Sequence, residues 1–189
     1  VVGAVAGNGG ALTNYATAVI ARSNFTSNTA RGYDGGQVRG AGLYDLGLGQ
    51  GGAITNHKGV LTVEDSTFTD NCAIGGSGGQ VGPGIGEQRF SFIGHAQGGA
   101  IANQHDSFLE LRRSTFIGNQ AIGGSGILGG RKAENWLGVA LGGAMMNYFI
   151  AEVSDSVFDR NEALAGNENT GGNPGDVVSV ARGGAIFEV

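Results

Sequence analysis

The side chains of this 189-residue chain that are best suited to chemistry are its carboxylates and its three histidines. Paired carboxylates can act as general acid and base, and two pairs could lie close together on a strand face: Asp65 with Glu110, and Glu152 with Asp155. A regular column of charges, described below, explains these carboxylates better than a catalytic pair does. We therefore predict no catalytic residues and a chain that is not an enzyme.

The histidines offer little for a metal site. His57 and His105 follow equivalent positions of successive repeats and could approach each other, with Asp106 as the one obvious further ligand. A metal ion needs more donors than this. We favour two solvated loop histidines and predict neither a metal site nor a cofactor.

Composition excludes several classes of protein. Glycine accounts for 39 residues, yet it follows no strict three-residue period, so the chain is not collagen-like. The net charge of −5 argues against nucleic-acid binding, which requires clustered Lys and Arg. No apolar run reaches the roughly 18–20 residues of a membrane-spanning helix. We predict neither a nucleic-acid partner nor a membrane span.

Internal repeats organise the whole chain. The tripeptide Gly-Gly-Ala starts at residues 9, 51, 98, 142 and 183, which gives spacings of 41 to 47 residues. Within each of the first four units Phe-x-x-Asn follows, with its Phe at Phe25, Phe68, Phe116 and Phe158 and its Asn at Asn28, Asn71, Asn119 and Asn161. A second Asn column follows the tripeptide: Asn14, Asn56, Asn103 and Asn147.

The apolar period within a unit is 2, as in Leu61 and Val63 with Thr62 between them, which is typical of a half-buried strand. Such a unit cannot close a core alone, but stacked copies can, with Phe over Phe and Asn bonded to Asn. The sequence predicts an all-β parallel β-solenoid over residues 1–189. One turn per unit, with the Gly-rich insert bulging as a second lobe, is favoured over two short turns.

Charge supports the same register. The position three residues before each Phe holds Arg22, Asp65, Arg113 and Asp155 in turn. Stacked in parallel, these residues form a column of alternating sign. A slip by one turn would place like charges together.

Gly-Gly-Ala followed by Ile or Leu, paired with Phe-x-x-Asn, resembles the repeats of bacterial polymorphic outer-membrane proteins and related autotransporter passenger domains. Residues 60–71 are a good example. The resemblance covers all four full units and implies a right-handed parallel β-helix that is secreted and has a surface or adhesive role. The chain departs from that pattern in its inserts of 19 to 24 residues, which separate each Asn-x-Ala from the next Gly-Gly-Ala.

These observations favour an extracellular, bacterial structural solenoid that acts as a surface adhesin or as a building block of a fibre or matrix. Its partners would be itself, through stacking of uncapped ends, or a host or matrix surface, including glycans. The alternative is a β-helix that binds or cleaves carbohydrate, for which Tyr15, Tyr148 and Phe149 could line an exposed edge. Partner binding by the inserts at 74–97 and 122–141 is a further hypothesis.

Two single residues leave alternatives open. Cys72 occupies a solvent-type position, and we favour an unpaired thiol without a role over intermolecular pairing. Asn24 begins an Asn-Phe-Thr sequon, and we favour an unmodified side chain over glycosylation. The chain begins and ends within the repeat pattern, which fits either a piece of a longer protein or copies stacked head to tail.

Overall fold

A computed structural model describes residues 6–38, 43–81, 90–131 and 134–189. The regular elements in these ranges are all short β-strands, since Gly interrupts the chain too often for a helix and the apolar period is 2. The all-β prediction is confirmed.

The strands recur in the same order from turn to turn. The first turn contains β1 (Gly7–Asn8), β2 (Leu12–Asn14), β3 (Thr17–Ala21), β4 (Asn24–Thr26), β5 (Thr29–Arg31), β6 (Gln37–Val38) and β7 (Leu43–Leu46). The second turn contains β8 (Gly49–Gln50), β9 (Ile54–Asn56), β10 (Val60–Glu64), β11 (Thr67–Thr69), β12 (Cys72–Ile74), β13 (Gln80–Val81) and β14 (Phe90–Ile93).

The later turns repeat this order, except that a single bridging residue, Leu128 or Thr170, stands in place of the β6 and β13 strands. The third turn contains β15 (Ala96–Gln97), β16 (Ile101–Asn103), β17 (Phe108–Arg112), β18 (Thr115–Ile117), β19 (Gln120–Ile122) and β20 (Glu134–Leu137). The fourth contains β21 (Ala140–Leu141), β22 (Met145–Asn147), β23 (Ile150–Ser154), β24 (Val157–Asp159), β25 (Glu162–Leu164) and β26 (Val177–Val178). The strands β27 (Ala181–Arg182) and β28 (Ile186–Glu188) begin a fifth.

Every strand pairs in parallel with its equivalents in the neighbouring turns. Leu61, for example, is in register with Ala18 of the preceding turn and Leu109 of the following one. Because these partners lie one whole repeat apart, each repeat makes one turn of a parallel β-solenoid. The predicted one-turn arrangement is the one that the structure has.

Each turn encloses two cores. The first lobe, bounded by the β2, β3, β4 and β5 strands and their equivalents, is filled by stacked Phe, Leu, Val and Ile side chains such as Phe68, Leu61 and Ile101. The second lobe, formed by the inserts, has a smaller core of Leu46, Ile93, Ile127 and Leu137, with half-buried Val81 and Val178 packed against it.

A waist of small residues separates the lobes. The β8 and β12 strands and their equivalents lie back to back there, and Ala73, Ala96, Ala121 and Ala140 form their contact. Where the insert begins, a Cβ added to Gly75 would collide with the carbonyl oxygen of Gly94. The Gly-rich start of each insert is thus required by backbone crossing at close range.

The Gly-Gly-Ala corner has a different constraint. The first Gly of each tripeptide has a positive φ, as at Gly51 (57°) and Gly98 (63°). This left-handed backbone is one that glycine adopts without steric cost, and it lets the chain turn from the waist into the first lobe.

Candidate functional site

The Phe column forms the axis of the first lobe. Ring centroids of Phe25 and Phe68 lie 4.8 Å apart, those of Phe68 and Phe116 4.6 Å apart, and those of Phe116 and Phe158 4.8 Å apart. The rings are within 10° of parallel. Phe68 and Phe116 are fully buried between neighbours, whereas Phe25 and Phe158, on the outer turns, are half-buried.

The Asn residues after each Phe form a continuous hydrogen-bonded ladder. Asn28 Nδ2 donates to Asn71 Oδ1 at 2.8 Å, and the next two steps, to Asn119 and then to Asn161, are both 2.9 Å. Each acceptor oxygen also receives the backbone N–H of the preceding Asn. The second hydrogen of each later amide goes to a Phe carbonyl, as from Asn119 to Phe68. The buried amides of Asn71 and Asn119 use both of their N–H groups and their oxygen in these bonds.

The second Asn column behaves in the same way. Asn14 Nδ2 donates to Asn56 Oδ1 at 2.8 Å, Asn56 to Asn103 at 2.8 Å, and Asn103 to Asn147 at 2.7 Å. In the partial fifth turn the column changes residue type, and Asn147 Nδ2 meets Glu188 Oε1 at 3.4 Å.

Serine forms two further ladders to which sequence reasoning assigned no role. In the first lobe, the backbone N–H of Ser23, Ser66 and Ser114 each donates to the Oγ of the next serine along the axis, at 3.1 to 3.2 Å. The recurrence of Ser two residues before each Phe is the sequence feature from which this ladder could have been predicted.

In the second lobe, the backbone N–H of Ser77 donates to Asp34 Oδ1, that of Ser125 to Ser77 Oγ, and that of Asn167 to Ser125 Oγ, each within 3.0 Å. The bond from Ser77, followed by one from Arg31, holds the pKa of Asp34 below its ordinary value. The mixed residue types hid this ladder from sequence comparison.

The charge column lies at a left-handed corner, with φ between 45° and 49° at all four residues. Arg113 Nε lies 2.8 Å from Asp65 Oδ1, and its Nη2 lies 3.3 Å from Glu64 Oε2. The hydrogen bond from Arg113 lowers the pKa of Asp65, with smaller contributions from Arg22 and Arg112. Within the described ranges, Arg22 and Asp155 stand at the same corner without a close ion pair.

His57 and His105 each pack against a different aromatic side chain. His57 packs edge-on against Tyr15, with ring centroids 5.5 Å apart, and His105 packs against Tyr148 at 4.5 Å. Each histidine therefore has an aromatic partner from a neighbouring turn. Across the ranges that the structure describes, no three His, Cys, Asp or Glu side chains are grouped as metal ligands.

Besides the two cores and the alanine contact of the waist, the structure has a further apolar cluster that sequence reasoning missed. We call it the interlobe cluster. Val139, Leu141 and Met146 are buried there, with Trp136 and Tyr148 half-buried against them. The cluster forms where outward-facing side chains of three strands, β20, β21 and β22, meet along one flank of the solenoid. The apolar residues are not repeated in the preceding turn, where Leu141 is in register with Gln97 and Met146 with Ala102, so no apolar column signals the cluster.

His95 lies on this flank and is buried. Its Nε2 is 3.1 Å from the carbonyl oxygen of Trp136, and its ring packs edge-on against Phe92 at 5.2 Å. Desolvation lowers the pKa of His95 to about 4, although the hydrogen bond to Trp136 opposes the shift. The side chain is therefore neutral near pH 7.

The other candidate residues are separate. Tyr15 and Phe149 are exposed, and Tyr148 is half-buried with its Oη 3.4 Å from Gln97 Nε2. Cys72 is a free, half-buried thiol whose pKa is raised by burial. Asn24 begins β4 with its side chain exposed. Residues 82–89 and 132–133 of the two inserts lie outside the described residues.

The outer wall of the first lobe consists of three sheets of four strands each. We call the three-strand stretches of its outer wall rungs: residues 17–31, 60–74, 108–122 and 150–164. Side chains of the second and third rungs that face the core are fully buried, whereas Val153 of the fourth rung is 40% exposed. Val19 and Val157, which face outward, are also exposed on the end rungs.

Comparisons with protein-family models, characterised proteins and solved structures found no match. No helix among the described residues is long and apolar enough to cross a membrane.

Proposed function

We propose that this chain is an extracellular structural solenoid of bacterial origin that works through its shape, as a surface adhesin or as a building block of a fibre or matrix. The observation that carries the proposal is the unbroken run of axial ladders. Stacked Phe rings, two Asn ladders and a Ser ladder pass through all four full turns without a break.

Such ladders suit a rod that keeps its outline under stress. Backbone and side-chain hydrogen bonds run along the axis, and each turn adds about 4.8 Å of length. The buried columns fix the shape, so the exposed side chains of each turn are free to differ. The surface location rests on the resemblance to outer-membrane protein repeats.

Carbohydrate binding is the second candidate, and the half-buried Trp136 favours it. Sugar rings pack against aromatic faces, and Tyr148 lies nearby in the interlobe cluster. The Arg182 guanidinium already lies 5.8 Å from the Trp136 ring centroid, which leaves less of that face for a sugar. The structural role is therefore the better supported of the two.

Retention in a bacterial biofilm tests the proposal. Fluorescent chain is added to a grown biofilm, and the fraction that remains after washing is measured beside the double variant Asn71→Ala/Asn119→Ala. Both substituted side chains are buried, so the variant keeps the surface chemistry but loses part of the shape. We expect the wild type to be retained several-fold more than the variant.

Equal loss of both proteins to the wash would overturn the proposal. Release of new reducing ends from the biofilm polysaccharide would also overturn it, in favour of a carbohydrate-cleaving protein. Loss of retention in Trp136→Ala with normal folding would support the carbohydrate-binding candidate instead.

A further inference from the structure

We propose that two copies of this chain pack side by side, through the outer face of the sheet that contains β3, β10, β17 and β23. We call this surface the lateral face. The inference rests on the proposed structural function and names a second copy of the chain as the partner of this side of the solenoid. It is carried by the outward-facing residues of the second and third turns.

The lateral face carries apolar side chains that the core does not use. Leu61 and Val63 of β10 point into the first lobe and are fully buried, so the alternate residues of this sheet point outward. Val60 is 43% exposed, and Phe108, in register with it, is half-buried. Ile150 continues the column in β23. Because Val60 and Phe108 lie on turns that have a neighbour on each side, their exposure belongs to the side of the solenoid.

The same two turns carry opposite charges at equivalent positions of this face. Glu64 is in register with Arg112. Lys58 and Asp106 each stand two residues before their strand begins, both exposed and both with a left-handed backbone, with φ of 55° and 59°. Among the residues that the structure describes, neither Lys58 nor Asp106 forms an ion pair. Each pair thus has one sign on the second turn and the other sign on the third.

A two-fold axis along the strand direction, midway between the second and third turns, matches these charges. It places the second turn of one copy opposite the third turn of the other, with the two solenoids antiparallel. Lys58 then faces Asp106 of the second copy, and Glu64 faces its Arg112. The apolar columns of the two copies meet between these charges, and every contact occurs twice because the interface is isologous.

Two alternative arrangements bring like charges together. Glu110 and Glu152 are in register at the centres of β17 and β23. A two-fold axis parallel to the solenoid through the strand centres would set each of these carboxylates against its own copy. An axis midway between the third and fourth turns would set Glu110 against Glu152. In the proposed arrangement Glu110 faces Thr62 and Glu152 faces Val19, so charge selects this orientation.

The energetic contributions to this contact differ in kind. Exposed ion pairs select orientation more than they add affinity, so burial of the apolar column supplies most of the attraction. The column is narrow, and we therefore expect a reversible dimer whose population depends on concentration.

Sedimentation equilibrium of the full chain over a concentration series tests the dimer. We expect the wild type to dimerise and Phe108→Thr, which copies Thr17 of the equivalent position, to dimerise roughly tenfold more weakly. Lys58→Asp and Asp106→Lys each set two like-charged pairs across the contact. We expect each of these variants alone to dimerise roughly tenfold more weakly as well.

An equimolar mixture of Lys58→Asp and Asp106→Lys separates a contact between copies from a contact within one copy. In the mixture each variant chain keeps its own like-charged neighbours, whereas every mixed dimer has opposite charges at both contacts. We therefore expect the mixture to recover the dimerisation of the wild type.

Arg131→Asp is the charge-matched control. Arg131 is exposed in the insert at 122–141, on the second lobe, and we expect this variant to dimerise as the wild type does. Circular dichroism verifies that each variant is folded. A wild type that stays monomeric at its highest soluble concentration overturns the inference. A mixture no better than its components also overturns it, as does a dimer that Phe108→Thr leaves unchanged. Biofilm retention of a monomeric wild type would leave the proposed function standing.

Discussion

Arg113 Nε lies 2.8 Å from Asp65 Oδ1, although the two residues are separated by one whole turn of the chain. This pair joins adjacent rungs at a corner where both residues have a left-handed backbone. It places opposite charges across the contact between two successive turns.

Asp65→Asn should lower stability more in dilute buffer than in high salt. The pKa of Asp65 is below its ordinary value because Arg113 binds the ionised carboxylate, so this contribution is present above the ordinary pKa and is lost as the pH falls through the folded-state pKa. Urea unfolding of the wild type and the variant should therefore differ at pH 7 and converge in high salt or in acid. A difference that is unchanged by salt would contradict an ionic origin.

Asn119→Ala should destabilise the chain by about 2–4 kcal/mol. The substitution removes the acceptor for two donors of Asn71 and the donors to Asn161 and Phe68, all in a buried ladder. Asn28→Ala is the matched control, because Asn28 is half-buried and ends the same ladder. Its unfolding midpoint in urea should move much less. Equal losses at both positions would mean that the ladder does not act as a connected unit.

His95 should make the chain sensitive to mild acid. With a pKa of about 4 in the folded state and an ordinary value of 6.5 when unfolded, the neutral ring favours folding above pH 6.5. That stability is lost as the pH falls from 6.5 towards 4, by about 3 kcal/mol in all. His95→Val copies Val139, which occupies the equivalent position of the next turn.

The measurement is urea unfolding of the wild type and His95→Val at about pH 7 and about pH 4.5, on either side of most of this titration. We expect the variant to lose less stability between the two pH values. Parallel decreases would assign the acid sensitivity to other groups.

Gly75→Ala should destabilise the chain by about 2–4 kcal/mol, because its methyl group would meet the carbonyl oxygen of Gly94 where the backbones cross at the waist. Gly175→Ala is the control, since a Cβ there would find only the Glu134 side chain at 4.0 Å. Differential scanning calorimetry of both variants checks the prediction. A neutral Gly75→Ala would show that the two lobes can move apart at little cost.

The sequence was sufficient to predict what repeats. Phe68 and Asn71 recur with their neighbours in every unit, so their stacking in register follows from the period alone. One turn per repeat was the favoured of two alternatives, because the stretch from Gly-Gly-Ala to Asn-x-Ala is already about one turn long. The ion pair of Arg113 with Asp65 belongs to the predicted charge column. Within the described ranges, Arg22 and Asp155 of the same column form no close ion pair.

What does not repeat could not be predicted. His95, Trp136 and Met146 meet only because the outward faces of three different sheets share one flank, and each differs from its equivalents in other turns. The collision that requires Gly75 is likewise a tertiary contact with Gly94. The composition shows that glycine is abundant, but the need for glycine at residue 75 is explained only by the close crossing of two backbone segments.

The pairing of each strand with its equivalent in the next turn makes the length of this molecule a count of turns. Turns of 41 and of 47 residues advance the axis equally, because backbone hydrogen bonds between equivalent strands set the rise, and the extra residues belong to the links between strands, most of them in the insert that contributes to the second lobe. Insertions and deletions in that lobe can therefore alter girth and surface chemistry while the spacing between features along the axis stays constant. The position of a feature along the axis is therefore set by the number of turns before it and does not depend on how many residues each turn contains.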